Sequence, residues 1–550
     1  MRILTFRVFR TYAVILENAV LFNVIQVVNA VLAGSLFNFI AVLLLRNFDI
    51  VLSLSVVVID FFVLALLLAS YRLLLPLLYY RRKNIRDQTP IIIIGGGDLG
   101  LLTKQMIDKD LHTPYKVIAF MDENPDLKNK YLDGIPVILP AQLPHYPAEK
   151  AIFAIRNITS AQKQRLLDVC LSAKIQVLKV PPVSDWLNED FTVQQIAAFQ
   201  IEDLLGRPAI QNLDLNSGTF YKDKSVLVTG AAGSIGSEIV RQLIAFQPAK
   251  IILLDQAESP LVDLALECQE QLSYSTAIPY LGSVTNLVKL RQLFERERPQ
   301  VVFHAAAYKH VPIIEDYPEE AVRTNVWGTK NVATLADQYG VEKMVLVSTD
   351  KAVNPTNIMG STKRIAELLI QRINADSQTA YITTRFGNVL GSAGSVVPRF
   401  RKQIEEGGPI TVTHPEINRY FMTIPEASLL VVEAAVIAKG GEVVLFDMGA
   451  PVKIVDLAEK MIQLSGKDIQ IKYTGLRKGE KLYEELLIDQ EAVIDTPHPK
   501  LKIAKHTNGI VPDLATFEKL IDGDHHLNLD LLKSLVPEFQ SQRTQRTDIP

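Results

Sequence analysis

The stretch STDKAVNPTNIMGSTKR, Ser348 to Arg364, gathers the side chains best suited to proton chemistry. Asp350 and Lys351 are adjacent, titratable and opposite in charge, so one can act as a general acid and the other as a general base. Thr349 sets a hydroxyl beside them. Lys363 adds a second cation, and Met359, one helical turn earlier, cannot exchange a proton. The plainer alternative makes STDK a turn, with Asp350 capping the next helix and Met359 filling a core gap.

Two glycine fingerprints precede this stretch. Gly95-Gly96-Gly97-Asp98-Leu99-Gly100 follows an apolar run, with Asp122 lying 22 residues beyond it. Thr229-Gly230-Ala231-Ala232-Gly233-Ser234-Ile235-Gly236 follows another, with Asp255 lying 19 residues beyond it. In both, glycines would let the backbone approach a pyrophosphate at a helix N-terminus, while the acid would accept from a ribose hydroxyl. The motif alone does not rank them. Only the second is followed by further ordered motifs: HAAA, AYKHVP, NVWGT and STDK. It is therefore expected to hold the working cofactor, and the first to bind a nucleotide, to sense, or to mediate packing. Asp255 favours NAD over NADP, since a carboxylate there repels a ribose phosphate. A strand-end aspartate that only caps the next helix is the alternative.

The elements that must position these groups alternate between strand and helix. PIIIIGGGDLG, YKVIAFMD, PVIL, KAIFAI and IQVLKV outline a first parallel α/β domain over residues 85–190, and 191–222 form a connector. KSVLVTGAAGSIG, KIILLD, VVFHAAA, KMVLVST and YITTRFGNVL outline a second over 223–540. Beyond residue 390 the pattern becomes irregular, which suits a substrate-binding lobe, and 541–550 are a polar tail.

At 550 residues with a net charge of −3, the chain has no basic field for nucleic acid. Cys170 and Cys268 and the nine histidines show no metal-ligand spacing. No metal is expected. The mean hydropathy of +0.17 is apolar for a soluble protein, and the surplus lies at the front. Residues 18–45 carry no charge, and 50–71 carry only Asp60; each can cross about 30 Å of hydrocarbon as a helix. Basic residues flank both outer ends, Arg2, Arg7 and Arg10 before and Arg72, Arg81, Arg82 and Lys83 after. A two-helix hairpin over residues 1–84 is predicted, multi-pass in the inner membrane, with the bulk of the chain in the cytoplasm. Membrane lipid is thus an expected partner. Asn23, Gln26, Asn29, Asn38 and Asp60 are costly against lipid and are expected at helix–helix or oligomer contacts.

Together TGAAGSIG, HAAAYKHVP, STDKAVNPTNIMGSTK, RFGNVLGSAGSVVPRF and GLRKGEKLYEEL resemble the membrane-bound polysaccharide-biosynthesis branch of the extended short-chain dehydrogenases/reductases, the CapD-like family. The resemblance runs over roughly residues 10–540. Characterised members are UDP-N-acetylglucosamine 4,6-dehydratases; they commonly carry four membrane helices, where this chain has room for two. The resemblance implies two Rossmann-like doubly wound parallel-sheet domains, bound NAD, UDP-N-acetylglucosamine as substrate and a homo-oligomer. The implied product is a 4-keto-6-deoxy sugar nucleotide for bacterial glycans. Met359 stands where shorter relatives carry a tyrosine; the longer, membrane-anchored members share the methionine and retain configuration at carbon 5.

By the same resemblance Asp350, its pKa raised, is the acid of the elimination, and Lys351, its pKa lowered, is the base at carbon 5. Thr349 holds the 4-oxygen and Lys363 the nicotinamide ribose. The cofactor is expected against Thr229, Gly230, Gly233, Ser234, Ile235, Gly236, Asp255, Ser283, Val284, Ala305, Ala306 and Ala307. Ser283 stands where many relatives place an aspartate against the adenine. His310 and Asn388 are expected near the sugar and phosphate, Arg419 and Arg477 at the diphosphate, and Glu480 at the nucleoside. The rivals are a UDP-sugar 4-epimerase and an inactive scaffold for membrane glycosyltransferases.

Overall fold

Two runs of branched aliphatic residues lead straight into glycines, and each forms the first strand of a parallel sheet. The computed structural model describes residues 2–8, 20–45, 54–83, 88–110, 113–156, 158–180, 196–199, 215–487, 492–505, 512–521 and 526–540. The expected tail at 541–550 and most of the expected connector lie outside the described residues. The chain divides into two compact units, Met1–Arg156 with Leu178–Ala197, and Asn157–Val177 with Ala198–Pro550.

After a short helix at Arg2–Val8, the first unit has helices α1 (Val20–Leu45) and α2 (Leu54–Lys83), which pack against each other. The buried stripe of α1 is Val27, Ala30, Val31, Ser35 and Val42, one face at helical spacing and rich in small residues. Among the described residues, the polar ones expected at helix–helix or oligomer contacts are not part of this stripe. Asn29 is exposed, Asn38 and Asp60 are half-buried, and the side chains of Asn23 and Gln26 lie outside the described ones. Val27–Leu44 is long and apolar enough to cross a membrane; the apolar run of α2, Ser55–Tyr71, is shorter.

After the helices, β1 (Thr89–Ile94) enters α3 (Asp98–Lys109) through the first glycine loop. β1 pairs in parallel with β2 (Tyr115–Met121) and β4 (Lys150–Phe153), and β2 with β3 (Ile135–Ile138). Ile91 to Ile94 are fully buried, as a strand covered on both faces requires.

In the second unit nine strands form one sheet. Its parallel part runs β7 (Ala277–Leu281), β6 (Lys250–Asp255), β5 (Ser225–Thr229), β8 (Val301–His304), β9 (Lys343–Val347), β10 (Ala380–Arg385), β11 (Val443–Phe446). The edge is completed by antiparallel β13 (Leu501–Lys505) and β12 (Ala492–Asp495). The order reverses between β5 and β8, so the carboxyl ends of those strands open the crevice where doubly wound folds bind ligands. Helices α4 (Ser234–Ile244), α5 (Ile358–Asn374), α6 (Val396–Glu405) and α7 (Ile424–Ile437) supply further walls.

Candidate active site

The second glycine loop is shaped by close approach. Gly230 has φ +66°, and a Cβ there would lie 2.7 Å from the Ala306 amide nitrogen; one on Gly236 would lie 2.0 Å from the Gly230 carbonyl oxygen. The loop therefore runs flush against Ala305-Ala306 and delivers Gly233 and Ser234 to the start of α4, whose first amides have no helical partner. Ala232 N–H donates to Asp255 Oδ2 at 2.9 Å and Ala257 N–H to Oδ1 at 2.9 Å. Asp255 thus braces the loop, and each of its oxygens keeps a lone pair for a further donor. The cradle fits a dinucleotide: glycines where side chains would block it, the first amides of α4 for the pyrophosphate, a carboxylate at the ribose end.

Several expected cofactor residues take narrower roles. Thr229 Oγ1 lies 2.7 Å from His304 Nδ1 in the core, and His304 Nε2 lies 2.9 Å from Thr329 Oγ1. Thr229 therefore turns its hydroxyl inward and offers only backbone. Ser283 Oγ pairs with Thr285 Oγ1 at 2.9 Å, and Val284 packs where a Cβ on Gly328 would meet it at 2.6 Å. Ile235 packs against the core, and Ala307 is half-buried. Ser234 Oγ accepts from Ala393 N–H at 3.1 Å, which ties the loop after β10 to the N-terminus of α4.

The first loop repeats this architecture. Gly95 has φ +114°, a Cβ on Gly100 would lie 2.0 Å from the Gly95 oxygen, and Gly96 N–H donates to Asp122 Oδ2 at 2.7 Å. The two differ at the first helical residue, which is Asp98 in α3 and Ser234 in α4. A carboxylate already occupies the positive end of α3 and repels a phosphate there. This signal was legible in the sequence and separates the loops without any help from the motifs downstream.

The acid–base groups sit where β9 ends. Thr349 Oγ1 donates to Asp350 Oδ1 at 2.8 Å, and Lys351 Nζ donates to the same oxygen at 3.0 Å and to Asn388 Oδ1 at 2.7 Å. Asp350 is fully buried, and its Oδ2 has no partner among the described residues. Glu484, absent from the sequence-derived set, completes the cluster. Its Oε1 lies 3.7 Å from Lys351 Nζ and 3.4 Å from Arg419 Nε, and its buried Oε2 is unpartnered among the described residues. Burial pushes Lys351 down, but the Asp350 and Glu484 carboxylates more than offset that and Arg419, so its pKa lies above the ordinary lysine value. The expected depression of Lys351 is thereby corrected. Burial raises Glu484, with Asp350 adding to it against Lys351, Arg419 and Lys481.

Met359 is buried among Ile314, Ala321 and Ile358. Lys363, one turn further along α5, donates to the Val347 carbonyl at 2.6 Å; burial lowers it to about 8, with Glu367 opposing.

The remaining substrate residues divide. Asn388 joins the acid–base cluster, and the exposed His310 lies against Gly394, where a Cβ would meet its Cε1 at 2.5 Å. Arg419 has partners within the protein. Its nitrogens donate to the carbonyls of Asn418, Lys481 and Leu482, and face Glu484, so its fork helps organise the cluster. Glu480 accepts from Thr413 Oγ1 at 3.3 Å and from the Arg477 amide at 3.0 Å. Arg477 is exposed beside Arg399, a residue the sequence did not single out. Arg399 donates to Thr411 Oγ1 at 3.0 Å and is lowered by burial and by the like charge of Arg477, against Glu480. Two guanidinium groups that feel each other's charge, one of them on α6, suit an anion.

A doubly wound sheet with a glycine cradle at its switch point and an Asp–Lys pair at the next strand tip defines the short-chain dehydrogenase/reductase class, extended form. Within that class the chain belongs to the family described as "Polysaccharide biosynthesis protein", whose profile matches residues 226–506. It is 43% identical over 450 residues to the "Probable polysaccharide biosynthesis protein EpsC" of Bacillus subtilis, covering 80% of this chain and 74% of that one. It is 40% identical over 486 residues to the "Capsular polysaccharide biosynthesis protein CapD" of Staphylococcus aureus, covering 84% and 78%. A "UDP-glucose 4-epimerase" of Rickettsia canadensis is 34% identical over 279 residues, 49% of this chain and 80% of that one.

Proposed function

We propose that the chain is an NAD-bound 4,6-dehydratase that converts UDP-N-acetylglucosamine to a UDP-2-acetamido-2,6-dideoxy-4-keto-hexose, retaining configuration at carbon 5. The observation that carries this reading is the Asp350–Lys351 pair at the end of β9, its aspartate buried and its lysine half-buried, with Met359 packed where a phenol would otherwise serve. Two relatives named for polysaccharide biosynthesis support a sugar-nucleotide substrate.

NAD, cradled by Gly230, Gly233, Ser234 and Asp255, would supply reversible oxidation at carbon 4. The chain supplies the proton transfers. Thr349 Oγ1, already donating to Asp350, takes the 4-hydroxyl proton as its own passes to the aspartate. The ketone at carbon 4 acidifies carbon 5, from which Lys351 takes the proton. Asp350 returns its proton to the departing 6-hydroxyl, which leaves as water, so the proton from oxygen 4 ends on the leaving group. The cation of Lys363 favours negative charge developing nearby, and Arg399 and Arg477 bind the diphosphate.

The epimerase-named relative favours a second reading, inversion at carbon 4 on the same fold. Incubation with UDP-N-acetylglucosamine separates the two by mass: dehydration gives a product lighter by one water, epimerisation leaves the mass unchanged, and an inert scaffold returns the substrate. An unchanged mass with turnover would refute the dehydratase.

For the membrane we propose that α1 and α2 both span it, with the catalytic unit in the cytoplasm. Exposed Leu36, Phe37, Ile40, Phe62, Leu66 and Leu67 give the pair an apolar exterior suited to lipid. A reporter fused at the C-terminus that reads periplasmic would contradict this topology.

A further inference from the structure

The dehydratase reading leaves a difficulty inside the cluster. Lys351 has to meet carbon 5 as an uncharged amine, yet Asp350 is 3.0 Å away and Glu484 3.7 Å away, and both carboxylates stabilise its ammonium. An amine that must release its proton to bulk water from such a place would be inactive at neutral pH. Asp350, hydrogen-bonded to the amine at 3.0 Å, is taken up by the 4-hydroxyl proton in this reading, which leaves Glu484, a short approach away at 3.7 Å, to take the lysine's proton without solvent.

We propose that Glu484 is the proton acceptor that neutralises Lys351 within the cluster, so that it acts on carbon 5 through the lysine. The inference rests on the dehydratase reading and extends it to a residue on a different segment.

Three observations lead there. Glu484 is buried, and Oε2 is unpartnered among the described residues; an unbonded buried carboxylate oxygen is costly unless the group is poised to take a proton. Its segment is clamped across the start of α5. Thr356 Oγ1 and Asn357 Nδ2 both donate to the Gly479 carbonyl at 3.0 Å, and Lys481 Nζ donates to the Val353 carbonyl at 3.0 Å. The carboxylate therefore stands at a fixed place beside Lys351. The charges around the pair are Asp350, Arg419 and Lys481, with Glu480 beyond Arg419. Burial raises the proton affinity of Glu484, so the transfer is less uphill than it would be for an exposed carboxylate.

The step balances without a co-reactant. A Lys351 N–H bond breaks and a Glu484 O–H bond forms, leaving an amine and a carboxylic acid. The amine lone pair takes the carbon 5 proton, the C–H pair becomes the new double bond to carbon 6, and the C6–O bond breaks as Asp350 protonates the leaving oxygen. When carbon 5 is protonated again from Lys351, Glu484 hands its proton back.

If Glu484 only holds Arg419 in place, glutamine should serve nearly as well. The test is Glu484→Gln in the full chain with UDP-N-acetylglucosamine, read as 4-keto product across about pH 6 to 9. We expect kcat at neutral pH to fall about 100-fold with KM within about threefold, the scale of a lost proton-transfer partner. The variant's rate should climb about tenfold per pH unit, because its lysine can lose a proton only to solvent, whereas the wild type stays flat. Glu484→Asp should restore the flat profile. A glutamine variant with wild-type rate and pH slope overturns the role of Glu484 while leaving the dehydratase standing; a wild type that makes no 4-keto product overturns both. If the glutamine variant does not fold, the wild type alone decides, since a rate climbing tenfold per unit through neutrality is incompatible with an internal acceptor.

Discussion

Arg385 and Glu367 form an ion pair with both side chains wholly buried, Nη2 to Oε2 at 2.7 Å. Glu367 also accepts from Ser348 Oγ at 2.7 Å and from Arg364 Nη1 at 3.1 Å. It thus links β10, the end of β9 and α5, two residues from Asp350. Burial would raise its carboxyl, but Arg385, Arg364 and Ser348 prevail and hold it at about 2. Arg385→Met leaves that charge without its main partner, so stability should fall by about 3–5 kcal/mol. Urea unfolding measures this, and a loss below about 1 kcal/mol would show the pair to be dispensable.

His304 sets an acid limit on the same unit. Burial, with a smaller push from Lys363, lowers it from 6.5 to about 3, so the native state keeps the imidazole neutral between Thr229 and Thr329. The unfolded chain takes up the proton near pH 6.5 and the folded one only near 3. The stability contribution is therefore complete above about 6.5 and is lost as pH falls toward 3, by about 1.4 kcal/mol per unit. Urea midpoints for wild type and His304→Gln across this window should show a shallower slope in the variant, whatever its absolute stability. Parallel slopes would place the acid sensitivity elsewhere.

How much of this is readable in the sequence depends on the length scale of each signal. Both glycine loops, the strands leading into them and the Asp350–Lys351 pair are local patterns, visible as spacings. The helix α1 is equally local as an apolar run, yet because it is apolar on every face its hydropathy does not single out the stripe through Ala30 and Ser35 that packs inward. Glu484 was hidden because its partner Lys351 is distant in sequence, and nothing in KLYEEL tells Glu484 from Glu485. The protein partners of Arg419 were hidden for a related reason: the carbonyls of Lys481 and Leu482 reach its guanidinium only through the fold. The sign of the Lys351 shift likewise depended on two carboxylates that only folding brings together.

The two glycine loops should respond differently to a methyl group. A Cβ on Gly236 would stand 2.0 Å from the Gly230 carbonyl oxygen, and one on its counterpart Gly100 would stand 2.0 Å from the Gly95 carbonyl oxygen, so only the one that holds the cofactor should cost nucleotide. Gly236→Ala should therefore displace α4 from its cradle, and the purified protein should lose its nicotinamide nucleotide by release assay. Gly100→Ala, which strains the first loop alike, should retain it. Equal cofactor content in both variants would mean that the second loop does not hold the dinucleotide.

Met359 can be tested by a change of shape without a change of polarity. It lies among Ile314, Ala321 and Ile358 with 3% of its surface exposed, a packing position where leucine of similar volume costs less than about 1.5 kcal/mol. If the proton of the 4-hydroxyl travels through Thr349 to Asp350, the sulfur takes no part, and Met359→Leu should keep kcat within about threefold. Thr349→Val should lose at least about 100-fold, because it deletes the hydroxyl 2.8 Å from Asp350 Oδ1. Comparing the two kcat values under saturating substrate decides between them. A leucine variant as impaired as the valine one would make the thioether part of the chemistry and remove Thr349 as the sole exit for that proton.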